Sequence, residues 1–307
     1  YILTNSGAGR FVEDQNRAFN EDARFVRSAD FNNDGFNDLA ILSTSLLRVL
    51  TNDGACGFAT TDYQTIGQMG RSVDIADFNG DGFTDIIVAS ASYEGKFGGS
   101  SFLLAVYFND GEGKFADVDT VNHAYGITSV RACDANNDGY PDIAYTYIGQ
   151  YSVVLMYNDG TGRNWDNSTS IYTGIETSLL SSGDLNNDGR EDYVLANMTE
   201  DRFAVATADE DGGFTTSIST PAEGTGTDIG LGDFNGDGYL DIARVSDVLT
   251  LHIYDGLNGY NGAACYWLRD GTTTSAALEI ADFDGDGHSD IAVLQSYGKL
   301  VIFLSTL

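Results

Sequence analysis

Basic residues are scarce in this chain of 307 residues: 15 Lys and Arg stand against 46 Asp and Glu, for a formal net charge of −31. Charge of that sign repels nucleic acid and anionic membrane surfaces, so neither is expected as a partner. Proline occurs twice, and cysteine and histidine three times each. No Cys-x-x-Cys or Cys–His spacing is present, which excludes a zinc or iron–sulfur framework. The longest apolar run, about SFLLAVYF from Ser101, is far too short for a membrane-spanning helix, and no long amphipathic helical pattern occurs anywhere. His-Glu-x-x-His, Gly-x-Ser-x-Gly and phosphate-cradling glycine loops are all missing, so the common hydrolase and nucleotide chemistries have no motif here. No signal peptide or basic targeting segment stands in the sequence, and a start at Tyr1 fits either a processed or a shortened chain.

What the chain does have is one acidic motif six times over. DFNNDGFND starts at Asp30, DFNGDGFTD at Asp77, DANNDGYPD at Asp134, DLNNDGRED at Asp184, DFNGDGYLD at Asp233 and DFDGDGHSD at Asp282, at spacings of 47 to 57 residues. A period of this size marks a repeat architecture. A tight turn would need only the Asp-Gly pair. It would not need acids at positions 1, 5 and 9 and Asn or Asp at position 3 in every copy. A hard cation such as Ca²⁺ wants six to eight oxygens, and alternate residues of a curled loop can supply them. An EF-hand is excluded, because position 12 is Ile41, Val88, Tyr145, Leu195, Arg244 or Val293 rather than glutamate, and short β-branched runs follow the loop. The loop therefore joins strand to strand.

A second signature follows the first five loops about 20 to 30 residues later: LRVLTNDGACGF, LAVYFNDGEGKF, SVVLMYNDGTGRNW and the weaker FAVATADEDGGF and LHIYDGLNGY. Asn-Asp-Gly between apolar runs is a hairpin signal. Each repeat thus reads as four strands, and four-stranded units of this length describe an all-β propeller as a single domain over 1–307. The repeats run about 22–69, 70–123, 124–175, 176–225, 226–273 and 274–307, the last expected to be completed by 1–21. Six loops argue for six blades, with seven as the alternative. YILTNSGAGRF and KLVIFLSTL both read as third strands, which leaves one surplus strand to be displaced, added to a blade edge or paired with another molecule.

Asp-x-Asn-x-Asp-Gly-x-x-Asp between strands, with Asn-Asp-Gly-x-Gly-x-Phe downstream, resembles the FG-GAP and VCBS repeats of integrin α-subunits, fungal lectins and many secreted bacterial proteins. The resemblance implies a propeller carrying about six Ca²⁺. Loop by loop, the implied side-chain ligands at positions 1, 3, 5 and 9, with the carbonyl at position 7, are Asp30, Asn32, Asp34, Asp38 and Phe36 in the first, and Asp77, Asn79, Asp81, Asp85 and Phe83 in the second. They are Asp134, Asn136, Asp138, Asp142 and Tyr140 in the third, and Asp184, Asn186, Asp188, Asp192 and Arg190 in the fourth. The fifth uses Asp233, Asn235, Asp237, Asp241 and Tyr239, and the sixth Asp282, Asp284, Asp286, Asp290 and His288.

Binding is preferred over catalysis. His288 lies inside a loop, His252 in the apparent strand LHIY is read as structural, and His123 is placed in a loop on its own. Carboxylate pairs for a polysaccharide hydrolase or lyase remain the lesser reading. Aromatic rings stack on sugars while Asp and Asn hold hydroxyls, so a lectin-like module for glycans leads, ahead of a structural or adhesive subunit that binds extracellular proteins or itself. Trp165 aligns with the hairpin residue Phe115 and is read as packing. Tyr266 and Trp267, in the irregular insert NGAACYWL, are the candidate ligand residues. Cys133 precedes the third loop where other copies have Ala or Gly, so it is expected to be a small buried thiol. Cys56 and Cys265 fall in hairpins of repeats that are not neighbours, so no bridge between them is expected. Asn167 and Asn197 head glycosylation acceptor triplets. Weak calcium loops suit a millimolar-calcium medium, which makes secretion the expected location.

Overall fold

The computed structural model describes the chain except at residues 1, 6–10, 16–22, 55–56, 65–68, 95–98, 124–125, 166, 198–201, 220–225, 247, 255, 257–258, 269–274, 296–299 and 306–307. Two compact units divide it: Asn20–Tyr172, and Thr173–Leu307 together with Tyr1–Phe19. Among the described residues there is no helix.

Three antiparallel four-stranded sheets make up the first unit. They are β3 (Phe25–Ala29), β4 (Asp38–Leu42), β5 (Leu46–Asn52) and β6 (Phe58–Gln64); β7 (Met69–Ala76), β8 (Asp85–Glu94), β9 (Gly99–Phe108) and β10 (Asp117–His123); and β11 (Ile127–Cys133), β12 (Asp142–Tyr147), β13 (Ser152–Tyr157) and β14 (Asn167–Tyr172). The second unit holds β15 (Leu179–Gly183), β16 (Asp192–Ala196), β17 (Phe203–Ala208) and β18 (Phe214–Ile218), then β19 (Asp228–Gly232), β20 (Asp241–Val245), β21 (Val248–Tyr254) and β22 (Tyr260–Trp267). A three-stranded sheet of β23 (Ser275–Ala281), β24 (Asp290–Gln295) and β25 (Leu300–Phe303) follows. These are the blades of a β-propeller, and among the described residues they number six. The remaining strands, β1 (Ile2–Asn5) and β2 (Phe11–Gln15), pair with each other as a two-stranded sheet. Among the described residues β25 bonds to β24 alone, so β1 and β2 stand as a sheet of their own rather than as its fourth strand.

Strand position within a blade explains its sequence pattern. The second strands lie inside each sheet with apolar neighbours on both faces, so β16 and β20 are buried at every residue and carry no polar alternation. The fourth strands are the outer edges. Four of the first five residues of β14, NSTSI, are exposed hydroxyl or amide side chains, which keeps an open edge polar. Apolar side chains from successive sheets fuse into shared cores. Leu42, Val49 and Phe31 meet Val73, Ile86 and Phe115 in one, and Phe78, Ile87 and Leu104 meet Val130, Ile143 and Trp165 in the next. In the second unit Val194, Phe203 and Val205 pack with Ile229 and Ile242. Each such side chain contributes roughly 1.5–3 kcal/mol on burial. Polar pins add register between blades: Asp74 on β7 accepts from Arg27 Nε of β3 at 2.8 Å and from the Ala132 amide of β11 at 3.0 Å.

The expected roles of several residues hold. Cys133 is buried and outside any disulfide, and Trp165 is buried with its ring edge-on to Phe78 at 6.0 Å. Others need correction. The stretch read as an irregular insert is the regular strand β22, which contains Cys265, Tyr266 and Trp267 and pairs with β21 across a register shift at Tyr254. Cys265 is therefore in a strand rather than a hairpin, whereas Cys56 lies outside the described residues. His123 ends β10 opposite Phe102 and is not a loop residue.

His252 on β21 is buried, with the Phe203 ring 4.7 Å away, and its Nε2 has no hydrogen-bond partner. Burial, and then the Arg244 guanidinium, push its imidazole down to about 4. The folded chain thus resists a proton that the unfolded chain takes up near pH 6.5. The stability this contributes is complete above that pH and is lost as pH falls toward 4, by about 3 kcal/mol. Urea unfolding at pH 7 and pH 4 should show the wild type losing about that much more stability than His252→Gln. Equal losses in both would mean that His252 titrates freely.

Candidate metal centre

Each acidic motif connects the first strand of a blade to the second, at the same end of the sheet as the hairpin from third strand to fourth. The local backbone requires two left-handed residues. Position 6 is always glycine, with φ near +89° at Gly35 and Gly82. Position 4 is the second, at Asn33 (φ 58°), Gly80 (70°), Asn137 (61°), Asn187 (59°), Gly236 (72°) and Gly285 (82°). Only Asn, Asp and Gly adopt this region at low cost, which is why position 4 is Asn or Gly in all six copies. That regularity was visible in the sequence and carried no reading there.

With the backbone so curled, side-chain oxygens gather over it. The Asp34 amide donates to both Asp30 Oδ1 (3.0 Å) and Asn32 Oδ1 (3.1 Å), the Gly35 amide to Asp30 Oδ2 (2.8 Å), and the Phe36 amide to Asp34 Oδ1 (2.9 Å). The same four contacts recur in the second loop on Asp77, Asn79 and Asp81, and in the third on Asp134, Asn136 and Asp138. They recur again on Asp184, Asn186 and Asp188, on Asp233, Asn235 and Asp237, and on Asp282, Asp284 and Asp286. Positions 1, 3 and 5 are thus brought together in every copy.

Position 9 has a second task that spacing alone did not reveal. Asp38, Asp85, Asp142, Asp192, Asp241 and Asp290 are buried, and each accepts two backbone N–H groups. One Asp85 oxygen takes the Phe78 amide of its own loop at 3.0 Å, and the other takes the Asn109 amide at the end of the third strand at 2.8 Å. Asp38 takes those of Phe31 and Asn52, Asp142 of Ala135 and Asn158, Asp192 of Leu185 and Ala208, Asp241 of Phe234 and Tyr254, and Asp290 of Phe283 and Ser305. The carboxylate is a clamp between loop and hairpin.

Asn109 and Asn158, the first residues of their hairpins, were also passed over. Asn109 Nδ2 donates to the Phe31 carbonyl of the preceding loop at 2.8 Å and to Thr84, while its Oδ1 accepts from Gly111 and Gly113. Asn158 does the same with Phe78, Pro141, Gly160 and Gly162. Asn-Asp-Gly was read as a turn signal, yet its Asn is the link between neighbouring loops.

The electrostatics favour a cation. Burial, followed by the weaker effect of like charges on Asp81 and Asp77, pushes the Asp85 carboxyl up to about 7 despite its two amide donors. Asp142, Asp192 and Asp241 rise to about 6 for the same reasons. A folded pKa raised above the ordinary 3.8 means that stability present below about pH 4 is lost as pH rises through 6 to 7, unless a positive charge arrives. In the sixth loop, oxygens of Asp282, Asp284 and Asp290 lie within 4.8 Å of one another. An all-oxygen donor set of this charge suits a hard divalent ion.

The remaining candidates lie apart from the loops. Tyr266 is 46% exposed on β22, its ring 5.7 Å from that of Phe303. Trp267 ends the same strand, and its side chain lies outside the described residues. Asn167 is exposed on β14, whereas Asn197 is buried, and a buried amide is no glycan acceptor in the folded chain.

Removing the Asp85 clamp leaves the buried amides of Phe78 and Asn109 without acceptors, at roughly 1–3 kcal/mol each. Asp85→Ala in chelator should therefore lower stability in urea by about 2–6 kcal/mol, well beyond Asp81→Ala, whose loop amides are exposed. A loss under about 1 kcal/mol would show that water replaces the carboxylate.

The model of the FG-GAP-like repeat matches residues 30–88, 77–145 and 184–244, which together span more than half of the chain. No curated protein sequence matches it. Among solved structures, the chain is similar to an Agrocybe aegerita lectin that specifically recognises non-reducing terminal N-acetylglucosamine. The TM-score is 0.57 at 17% identity, over 93% of this chain and 81% of that one, a likeness of fold. No helix among the described residues is long and apolar enough to cross a membrane. With three matched repeats, and with the same loop built six times between first and second strands, the chain belongs to the family of FG-GAP-like repeat proteins.

Proposed function

We propose that this protein is a secreted binding module whose six loops hold calcium and whose ligand is carbohydrate. The observation that carries the metal reading is the repeated loop, in which side-chain oxygens of positions 1 and 3 share the amide of position 5, and that of position 5 takes the next amide but one, beside a buried carboxylate facing like charges. Residues of the second loop that would hold the ion are Asp77, Asn79, Asp81 and Asp85 with the Phe83 carbonyl, and the other five follow the same positions. Bound calcium would supply positive charge to carboxylates that otherwise repel one another. It would thereby stiffen the loop ends of the sheets without taking part in any reaction.

Rigid loops on a repeated scaffold support recognition rather than turnover. Sugars fit the chemistry available, since Asp and Asn side chains accept and donate to hydroxyls and an exposed ring such as Tyr266 can stack on a pyranose face. A relative in fold that recognises a terminal sugar makes carbohydrate the first class to test. Low affinity per loop suits a medium with millimolar calcium, which is the ground for placing the protein outside the cell.

Native mass spectrometry in millimolar calcium should find about six ions. Asp81→Ala should lose one, and Asp117→Ala, whose exposed carboxylate pairs with Arg163 outside every loop, should keep all of them. At one to ten times Kd each site adds roughly 0.4–1.4 kcal/mol, so chelation should lower Tm sharply. Two ions or fewer would sink the metal reading.

For the ligand, a glycan array with calcium and with EDTA should give hits only in calcium, and Tyr266→Ala should weaken them. An array silent in both conditions would reject carbohydrate. Ordered polymers in electron micrographs would then move the assignment to a structural subunit.

A further inference from the structure

The six loops differ, and the fourth departs from the others in linked ways. Position 7 is aromatic in four loops, and each ring lies against the hairpin glycine of its own blade. A methyl group built on Gly54, Gly111, Gly160 or Gly256 would meet Phe36, Phe83, Tyr140 or Tyr239 at 2.5 to 2.8 Å. In the fourth loop position 7 is Arg190. Its Nη2 donates to Asp188 Oδ2 at 2.6 Å, and its Nε reaches the Ala208 carbonyl at 3.4 Å. That same oxygen of position 5 receives the side-chain amide of position 3 in four other loops, from Asn32, Asn79, Asn136 and Asn235 at 2.8 to 2.9 Å. The hairpin has changed too: Ala208 stands where Asn52, Asn109 and Asn158 stand in the first three blades, and Glu210 stands where Gly54, Gly111 and Gly160 receive the ring. The aromatic cover and the hairpin asparagine are both replaced, and an arginine spans the gap between loop and third strand.

A charge in that position does what a metal does. The guanidinium and Asp188 are about one-third and one-quarter exposed, so water screens their attraction only in part. We propose, on the reading of the loops as calcium sites, that Arg190 is a tethered counter-cation for the fourth loop, which holds calcium more weakly than the other five and keeps its shape without it. Calcium entering there meets a like charge a few ångströms away and must draw Asp188 from its ion pair. A repulsion of this kind, partly screened, weakens binding on the order of ten-fold.

Stepwise calcium titration, followed by calorimetry and native mass spectrometry, tests this with calcium as the only probe. Wild type should fill five sites in one range and a sixth at about ten-fold higher free calcium. Asp184→Asn should delete the weak step and leave the five strong ones. Arg190→Phe should bring the sixth site into the range of the others, while Arg190→Lys, which keeps the charge, should leave it weak. In EDTA, Arg190→Phe should melt below wild type, and the gap should close or reverse in millimolar calcium. Six equivalent sites in wild type, or a weak step unmoved by Arg190→Phe, would overturn the role of Arg190 and leave the calcium reading intact. Failure of every loop to bind calcium would overturn both.

Discussion

A buried carboxylate holding two backbone amides is the contact on which each blade of this protein depends. Asp38, Asp85, Asp142, Asp192, Asp241 and Asp290 close the loop that precedes the second strand and fix the point where the third strand ends. A carboxylate that has left water is costly unless its lone pairs are used. Two charge-assisted hydrogen bonds recover part of that cost, and like-charged neighbours at positions 1 and 5 add to it again. The scaffold therefore carries a demand for positive charge beside Asp38, Asp85, Asp142, Asp192 and Asp241, and of those five loops all but the fourth present no built-in cation at position 7 to meet it.

The second constraint is how one blade finds the next. In the first unit it is done by pairs of contacts that cross blades at the loop end. Phe31 of one loop lies edge-on to Phe115 of the following hairpin at 5.5 Å, while Asn109 of that hairpin bonds the Phe31 carbonyl. Phe78, Trp165 and Asn158 repeat the arrangement one blade on. An aromatic plug and an amide thus work from the two ends of one hairpin, one excluding water and the other satisfying the carbonyl that burial would orphan. The second unit uses Ser305 Oγ on the Phe234 carbonyl for the same purpose.

These two devices leave the loop ends of the sheets stiff and chemically uniform, and variation is confined to a few positions. Arg190 is one such position, and Asp284, an acid where the other five loops have asparagine, is another. A repeat scaffold allows this, because each blade meets mainly its neighbours and one loop can drift without unsettling the rest.

By itself the sequence determined the period, the all-β class, the four strands per repeat, the strand–loop–strand setting of the acidic motif and the family. All of these are local, since they rest on residue type at fixed offsets within a dozen residues and on apolar runs of strand length. Trp165, Cys133 and His252 were legible for the same reason: their places in the repeat implied burial. Tertiary structure alone decided what lies further apart. That position 9 clamps a hairpin, that Asn109 reaches a carbonyl 78 residues away and that Arg190 turns back onto Asp188 depend on which strand ends lie side by side. Pairing also put Tyr266 on a regular strand, because β21 supplied partners for a segment whose composition looked irregular. Propensity is a weak local preference, and a hydrogen-bonded neighbour overrides it.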